Sequence, residues 1–169
     1  VAGVDPDGWK RQAALEAARS DIRCCFGLHP VAAAMLPPGE LDGIMAQLAT
    51  TARFAIGETG LDGSKYAPRG TLEPQTEAFR AHLALAREMN LPIVLHVLGA
   101  HGAALEVLEQ DGAPEAGGLV HSYSGAAPMV RAYERHGMYI SFSGSITHPT
   151  ARRVLEAVRT VSPDRLLIE

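Results

Sequence analysis

The stretch Phe54–Asp62, FAIGETGLD, is the part of the sequence on which the prediction of the fold depends. A short apolar run leads into Glu58, which lies between two glycines and four positions before Asp62. Strands that are buried on both faces of a parallel sheet are almost continuously apolar, so the strand is predicted to end at Gly57. Glycine permits a close approach of the backbone to a ligand. The pattern therefore indicates a functional carboxylate, although Glu58 could instead cap the next helix or accept hydrogen bonds from loop amides.

Similar apolar runs alternate with helical patterns along the whole chain. Runs of four to seven residues predict strands at 22–28, 54–57, 92–96, 119–122, 138–142 and 166–169. Apolar residues at helical spacing predict helices at 8–20, 40–52, 76–90, 102–110, 128–136 and 150–161. Strict alternation of this kind is typical of a doubly wound open sheet or a (β/α)₈ TIM barrel.

The barrel is favoured over the doubly wound sheet. No GxGxxG turn follows an early strand, and the residues that end the predicted strands are separated by 29, 38, 25, 21 and 27 positions. A TIM barrel uses about 31 residues for each of its eight units. We therefore expect residues 1–169 to form one domain, an incomplete barrel of five to six units. The sequence begins without Met and stops in an apolar run, and we expect it to be an internal fragment that is inactive on its own.

The composition excludes some classes of protein. The formal net charge is −4 and the pI is about 6.0, whereas proteins that bind nucleic acid through its phosphates alone are strongly basic. Phosphate chemistry would therefore have to take its positive charge from a metal ion.

We expect no membrane association, because no apolar run approaches about 18 residues and no signal peptide is present. Cys24 and Cys25 are predicted to be free thiols, which favours the cytoplasm. The sequence indicates no obligate protein partner.

Polar residues follow several of the predicted strands at the point where each ends. In a barrel of parallel strands these ends meet at one edge, where such enzymes carry their chemistry. Three histidines and a carboxylate match the ligands of a hydrolytic site for divalent metal ions, and they are His29, Glu58, His96 and His121. His96 and His121 are favoured as ligands, whereas His29 is equally consistent with a hydrogen-bonding role. Asp62 is expected to anchor the following turn or to orient a ligand.

The remaining histidines and serines are assigned other roles. His82 lies inside a predicted helix, and His101, His136 and His148 lie in loops or near helix ends, so all four are predicted to be solvated. The segments HSYSG and SFSGS do not form the GxSxG turn of a nucleophilic serine. Ser124, in the first of them, is expected to contact the substrate instead.

Six motifs carry a family resemblance, and they occur in the order GLHP (27–30), AIGETGLD (55–62), QTEAFRAHLALAREMNLPIVLH (75–96), HSYSG (121–125), YISFSGSIT (139–147) and PDRLLIE (163–169). With these motifs the sequence resembles the TatD family of metal-dependent hydrolases, within the wider group of amidohydrolase-like barrels. The resemblance implies that Glu58 is shared by two divalent metal ions (Mg, Mn or Zn) and that His96 and His121 bind one of them. It also implies an exonuclease-like deoxyribonuclease, with nucleic acid as the substrate and His29 at a phosphate oxygen.

The sequence departs from the family pattern in three places. The HxH pair expected on a first strand and the Asp expected after the terminal LLxE are not in this sequence, and Leu98 stands where many members carry Arg. Two alternatives therefore stay open. One is hydrolysis of a carboxylic ester or amide, such as an aminoacyl ester. The other is a catalytically inactive barrel that serves as a binding module.

Overall fold

The structure is a computed structural model that describes residues 1–68 and 70–169. Three helices precede the first strand, and strands and helices alternate after it, in the order α1 (Pro6–Ala18), α2 (Pro30–Ala34), α3 (Leu41–Thr51), β1 (Ile56–Asp62), α4 (Leu72–Met89), β2 (Ile93–Leu98), α5 (His101–Asp111), β3 (Gly118–His121), α6 (Ala127–Arg135), β4 (Met138–Phe142), α7 (Arg152–Thr160) and β5 (Leu166–Ile168). No helix in the described ranges combines the length and the apolarity needed to cross a bilayer.

The strands form a parallel sheet whose spatial order is the same as their order in the chain, from β1 to β5. A doubly wound sheet would reverse direction at a switch point, and this order does not. The structure thus confirms the predicted class of fold, an α/β fold with the parallel strand order of a TIM barrel. Because all the strands run in one direction, their carboxyl ends lie along a single edge, which we call the carboxyl edge.

Two strand predictions need correction. The segment 22–28 is not a continuous strand, since Cys25 and Phe26 make only isolated bridges to Ala2 and Ile56. The backbone N–H of Leu28 instead donates to a side chain, His82 Nε2, at 3.0 Å. In addition, β1 continues to Asp62 rather than ending at Gly57, because the ladder to β2 pairs its second half as well as its first. Glu58 therefore lies within a strand and not at its end.

One short helix was not predicted. Residues 30–34 form α2, with Pro30 in the first turn and His29 as the N-cap residue. Proline suits this position because a first-turn residue needs no backbone N–H donor. The long helix α4 buries Phe79, Leu83 and Ala86, and this agrees with the predicted apolar stripe.

Gly57 and Gly60 let β1 lie close against β2. Their φ angles are +133° and +130°, and the peptide bond between Gly57 and Glu58 is cis. A Cβ atom at Gly57 would clash with the carbonyl oxygen of Val94, and one at Gly60 would clash with that of His96. The sequence analysis explained these glycines by the close approach of a ligand, and the structure shows instead that the neighbouring strand makes the close approach.

His82 is fully buried in α4, so the prediction that it is solvated was wrong. Its Nε2 accepts the N–H of Leu28, and its Nδ1 lies 2.7 Å from the carbonyl oxygen of Ala78, so the neutral ring satisfies both partners. Burial lowers the pKa of His82 to about 4. The apolar stripe of Phe79, Leu83 and Ala86 around position 82 is the sequence signal that indicates burial.

Gly60→Ala should lower the free energy of unfolding by about 2–4 kcal/mol, because the methyl group combines an unfavourable φ with a clash against backbone. Gly43→Ala in α3 is the matched control, since a Cβ there meets nothing within 4 Å. That change should be neutral or raise stability by up to about 1 kcal/mol. Urea unfolding followed by circular dichroism measures both variants. Equal stability of the two would contradict the close packing of β1 on β2.

His82→Gln should reduce the dependence of stability on pH. The unfolded chain protonates this ring below about 6.5 and the folded chain only near 4, so the unfolded state binds more protons between these values. Stability of the parent chain should therefore fall as the pH falls through this window, and the fall should be smaller in the variant. Urea titrations at several pH values measure the difference. The exposed His148→Gln should behave like the parent, and parallel curves for His82→Gln and the parent would refute the assignment.

Candidate functional site

One carboxylate oxygen at the carboxyl edge is approached by three imidazole rings. Glu58 Oε1 lies 2.9 Å from His96 Nδ1, 3.6 Å from His121 Nε2 and 3.9 Å from His29 Nε2. The Glu58 side chain is 11% exposed, whereas His121 is the most exposed of the four at 34%. The structure thus brings together all four residues that the sequence analysis named for a metal site. We call this group the Glu58 cluster.

The positions of β2, β3 and α2 place the three imidazole rings in the cluster. His96 of β2 pairs directly with Gly60 of β1 on one side and with His121 of β3 on the other. His29 arrives from outside the named strands, as the N-cap residue of α2, where its Nδ1 accepts the N–H of Val31 at 3.2 Å. That hydrogen bond leaves Nε2 as the nitrogen that faces Glu58.

The donor atoms of the cluster fit a divalent cation. His29, Glu58 and His96 each offer a ligand atom, and these atoms lie within 4.8 Å of one another. In the described part of the chain, His96 Nε2 is buried and has no hydrogen-bond partner, and Asp62 Oδ2 lies 3.4 Å away from it. Buried polar atoms without a partner are uncommon, so each of them requires an explanation. Imidazole nitrogen combined with carboxylate oxygen is a usual ligand set for Zn²⁺ and is compatible with other divalent ions.

Burial and neighbouring charges have opposing effects on the pKa values of the cluster. Burial alone would raise the pKa of Glu58, but the hydrogen bond with His96 and the nearby His121 lower it overall. Burial alone would lower the pKa of His96, and the contact with Glu58 raises it overall. For His29, burial and the neighbouring His96 together lower the pKa. Glu58 is therefore kept as a carboxylate, which is the form that binds metal ions.

Asp62 is the last residue of β1 and is buried. Its Oδ1 accepts the N–H of Ser64 at 2.8 Å, which closes the following turn, while its Oδ2 faces His96. Its own N–H donates to Oε1 of the buried Gln75 at 2.7 Å. The side chain thus contacts both the turn and a histidine of the cluster, the two positions that the sequence analysis considered.

Ser124 does not contact the Glu58 cluster. Its Oγ lies 3.3 Å from Nε2 of His101, whose Nδ1 lies 3.1 Å from Tyr133 Oη. His101 is 5% exposed, so the prediction that it is solvated was wrong. Burial, followed by the charge of Arg153, lowers the pKa of His101 to about 4, which keeps the ring neutral. Ala104 and Leu108 lie on the same face of α5 as His101, and this apolar spacing is the sequence signal for its burial.

Glu169 is a functional candidate to which the sequence analysis gave no role. Its Oε2 lies 2.5 Å from His121 Nδ1, on the opposite side of the ring from Glu58. The signal in the sequence is its position directly after the apolar run Leu166–Ile168, since His96 and His121 also directly follow apolar runs. His148 is exposed and His136 is partly exposed, in agreement with the predicted solvation of these two rings.

Comparison with known proteins adds the family. A family model described as "TatD related DNase" matches residues 1–169. The uncharacterized metal-dependent hydrolase YabD of Bacillus subtilis is 36% identical over 148 residues, which are 88% of this chain and 57% of that protein. The 3'-5' ssDNA/RNA exonuclease TatD of Salmonella typhimurium is 33% identical over 166 residues, which are 94% of this chain and 61% of that protein. The chain thus spans less than two thirds of the length of these relatives.

A solved structure agrees with the sequence comparison. The crystal structure of YjjV, a TatD homolog from Escherichia coli K12, superposes with a TM-score of 0.88 at 26% identity and covers all of this chain and 65% of that one. The family model, the curated relatives and this likeness all lead to the same assignment. The chain belongs to the TatD family of metal-dependent hydrolases.

Proposed function

We propose that this chain carries part of a divalent-metal-dependent phosphodiesterase that removes nucleotides from DNA in the 3'–5' direction and acts in the cytoplasm. The observation that carries the proposal is the approach of three imidazoles to one buried carboxylate oxygen at the carboxyl edge. The Salmonella relative is named as a 3'-5' exonuclease of single-stranded DNA and RNA, which supports nucleic acid as the substrate.

Each residue of the Glu58 cluster would have a different role in the reaction. Glu58 would be the carboxylate shared by two divalent ions (Mg, Mn or Zn), and His96 and His121 would bind one of these ions. Divalent ions bound there would lower the pKa of a water molecule and stabilise charge on the attacked phosphate. His29, held by the N–H of Val31, would donate a hydrogen bond from Nε2 to a phosphate oxygen. The net charge of −4 is compatible with this substrate because the ions would supply the local positive charge.

Glu169 would act through His121 and not on the substrate. A carboxylate that accepts a hydrogen bond from one ring nitrogen of a histidine fixes the orientation of the ring and makes the other nitrogen a better ligand. Glu169 and Glu58 lie on opposite sides of the His121 ring, at Nδ1 and Nε2. Glu169 is therefore proposed as the residue that holds Nε2 toward the metal.

A second candidate, hydrolysis of a carboxylic ester such as an aminoacyl ester, is favoured by one observation. Leu98 lines a cavity together with His96 and His121 of the Glu58 cluster. An apolar side chain at this position cannot neutralise the negative charge of a phosphate group. The two candidates share the metal chemistry and differ only in the bond that is cleaved.

Glu58→Gln should abolish metal-dependent hydrolysis by the full-length product of the gene. The loss should exceed the roughly 100-fold that is typical of removing a partner behind a metal ligand. The assay follows single-stranded DNA, RNA and an aminoacyl ester after chelator treatment and after Mg²⁺, Mn²⁺ or Zn²⁺ is added back.

Glu156→Gln, at an exposed position of α7, is the control and should keep full activity. Cleavage that persists after chelation, or that does not respond to Glu58→Gln, would refute the proposal. Cleavage of the aminoacyl ester alone would select the second candidate.

Glu169→Ala should weaken Zn²⁺ binding by about 10-fold to 100-fold, because His121 would lose the group that orients it. Glu169→Gln should lose less, since its amide oxygen still accepts the hydrogen bond. Competition against a chromophoric chelator measures the affinity. Asp164→Asn is the control, with a side chain that is 81% exposed and does not contact the cluster. If Glu169→Ala and the control bind Zn²⁺ equally well, Glu169 does not orient His121.

A further inference from the structure

A groove of about 470 Å³ lies at the carboxyl edge, and its lining includes Gly99, the residue after Leu98 of the cavity that His96 and His121 line. One wall is the start of α5, which follows β2 after two residues, and another is Arg153 of α7. Leu72 and Met129 contribute apolar side chains to the lining. The groove is open to solvent and contains none of the residues of the Glu58 cluster, so the function proposed above leaves it without a role.

Arg153 brings an unneutralised positive charge to this groove. One of its terminal nitrogens, Nη2, donates to the carbonyl oxygen of Ser124 at 3.3 Å. No carboxylate in the described ranges comes within ion-pair distance of its guanidinium, although acidic residues outnumber basic ones in this chain. The remaining N–H groups of a guanidinium form a planar fork that matches the oxygens of a phosphate.

Ser124, which is partly buried, contacts Arg153 and connects it to the core. His101, which lines the groove, uses its two ring nitrogens on Tyr133 Oη and Ser124 Oγ. The same Ser124 holds Arg153 through its carbonyl oxygen, so a connected set of contacts leads from the core to the guanidinium. His101 is neutral because burial lowers its pKa to about 4. Among the described lining residues, Arg153 therefore supplies the positive charge of the groove.

The first turn of α5 adds to the preference for an anion. This helix of 11 residues has Ala100 as its N-cap, which offers no side-chain hydrogen bond to the first N–H groups. Such N–H groups have no acceptor inside the helix and favour a negative ligand. At Gly102 a Cβ atom would meet nothing within 4 Å, so there is space beside these groups.

We propose that this groove binds a backbone phosphate of the nucleic-acid strand, adjacent to the phosphodiester held at the Glu58 cluster. Arg153 contacts the phosphate oxygens, and Leu72 and Met129 contact the sugar or the base that follows. The proposal rests on the function proposed above, because it takes nucleic acid as the substrate. A substrate with a single phosphodiester fills only the cluster, and a longer strand fills the groove as well.

The first test compares dinucleotide and trinucleotide substrates with the full-length product. The second phosphodiester should raise kcat/KM by about tenfold, which is typical of one charged hydrogen-bonded contact. Arg153→Gln should remove this gain. Arg152→Gln, the adjacent exposed residue of α7 that does not line the groove, should retain it. An equal loss in both variants would indicate general electrostatic attraction and overturn the proposal, and so would an unchanged gain in Arg153→Gln.

The second test measures binding without catalysis. In a Glu58→Gln background, the anisotropy of a fluorescein-labelled thymidine trinucleotide reports its affinity at increasing salt. Arg153→Gln should weaken binding by about tenfold. It should also reduce the slope of log affinity against log salt concentration by about the amount expected for one phosphate contact, whereas Arg152→Gln should change neither quantity. Binding that depends on Arg153 in a protein that hydrolyses no phosphodiester would support the groove and refute the proposed function. Hydrolysis by the parent with equal binding by the two arginine variants would refute the groove alone.

Discussion

The convergence of three imidazoles on Glu58 Oε1 is the interaction on which the site depends. A buried carboxylate is unfavourable in isolation, because desolvation destabilises its charged form. Here the charge is tolerated because the rings reach it from β2, from β3 and from the segment before α2. The rings of β2 and β3 can meet at Glu58 because parallel strands end at the same edge and because β1, β2 and β3 are neighbours in the sheet. The architecture of the sheet and the chemistry of the site are thus two results of the same strand order.

The close contact between β1 and β2 imposes a second constraint. Glu58 can reach His96 at 2.9 Å only if the backbone on both sides of it comes close to the neighbouring strand. The glycines at 57 and 60 remove the side chains that would prevent this approach. The conformational freedom of glycine would destabilise an ordinary strand. Here the two glycines allow the backbone path that keeps the charged side chain of Glu58 in a fixed place.

The class of fold and two histidines of the site were predictable from the sequence, because the fold repeats a simple physical pattern. Buried parallel strands are apolar and end in turns, so the polar residues His96 and His121 are conspicuous in the sequence at the ends of such runs. The length of β1 was not predictable, since Glu58, Thr59 and Asp62 are polar residues that become buried only when β2, α4 and the histidines surround them. The contact of Glu169 with His121 spans 48 positions, and local patterns contain no information about such a pairing.

The two buried histidines show a different limit of prediction from sequence. His82 and His101 are polar by type, but each occupies an apolar face of its helix and binds partners from other elements. A residue type alone indicates solvent exposure, and only the periodicity around it indicates burial. In both rings the neutral form satisfies the hydrogen-bonding groups nearby, so the core accepts them without a charge.

The contact between Glu169 and His121 also links ligand binding to the thermodynamics of the sheet. Glu169 follows β5, a strand of three residues that pairs with β4. A short strand can open locally without global unfolding, and opening of β5 would carry Glu169 away from His121. Any ion that binds the ordered cluster more tightly than the opened one would shift that equilibrium by mass action and protect β5. Amide exchange in β5 would then slow as the cluster becomes occupied, although no residue of the cluster belongs to that strand.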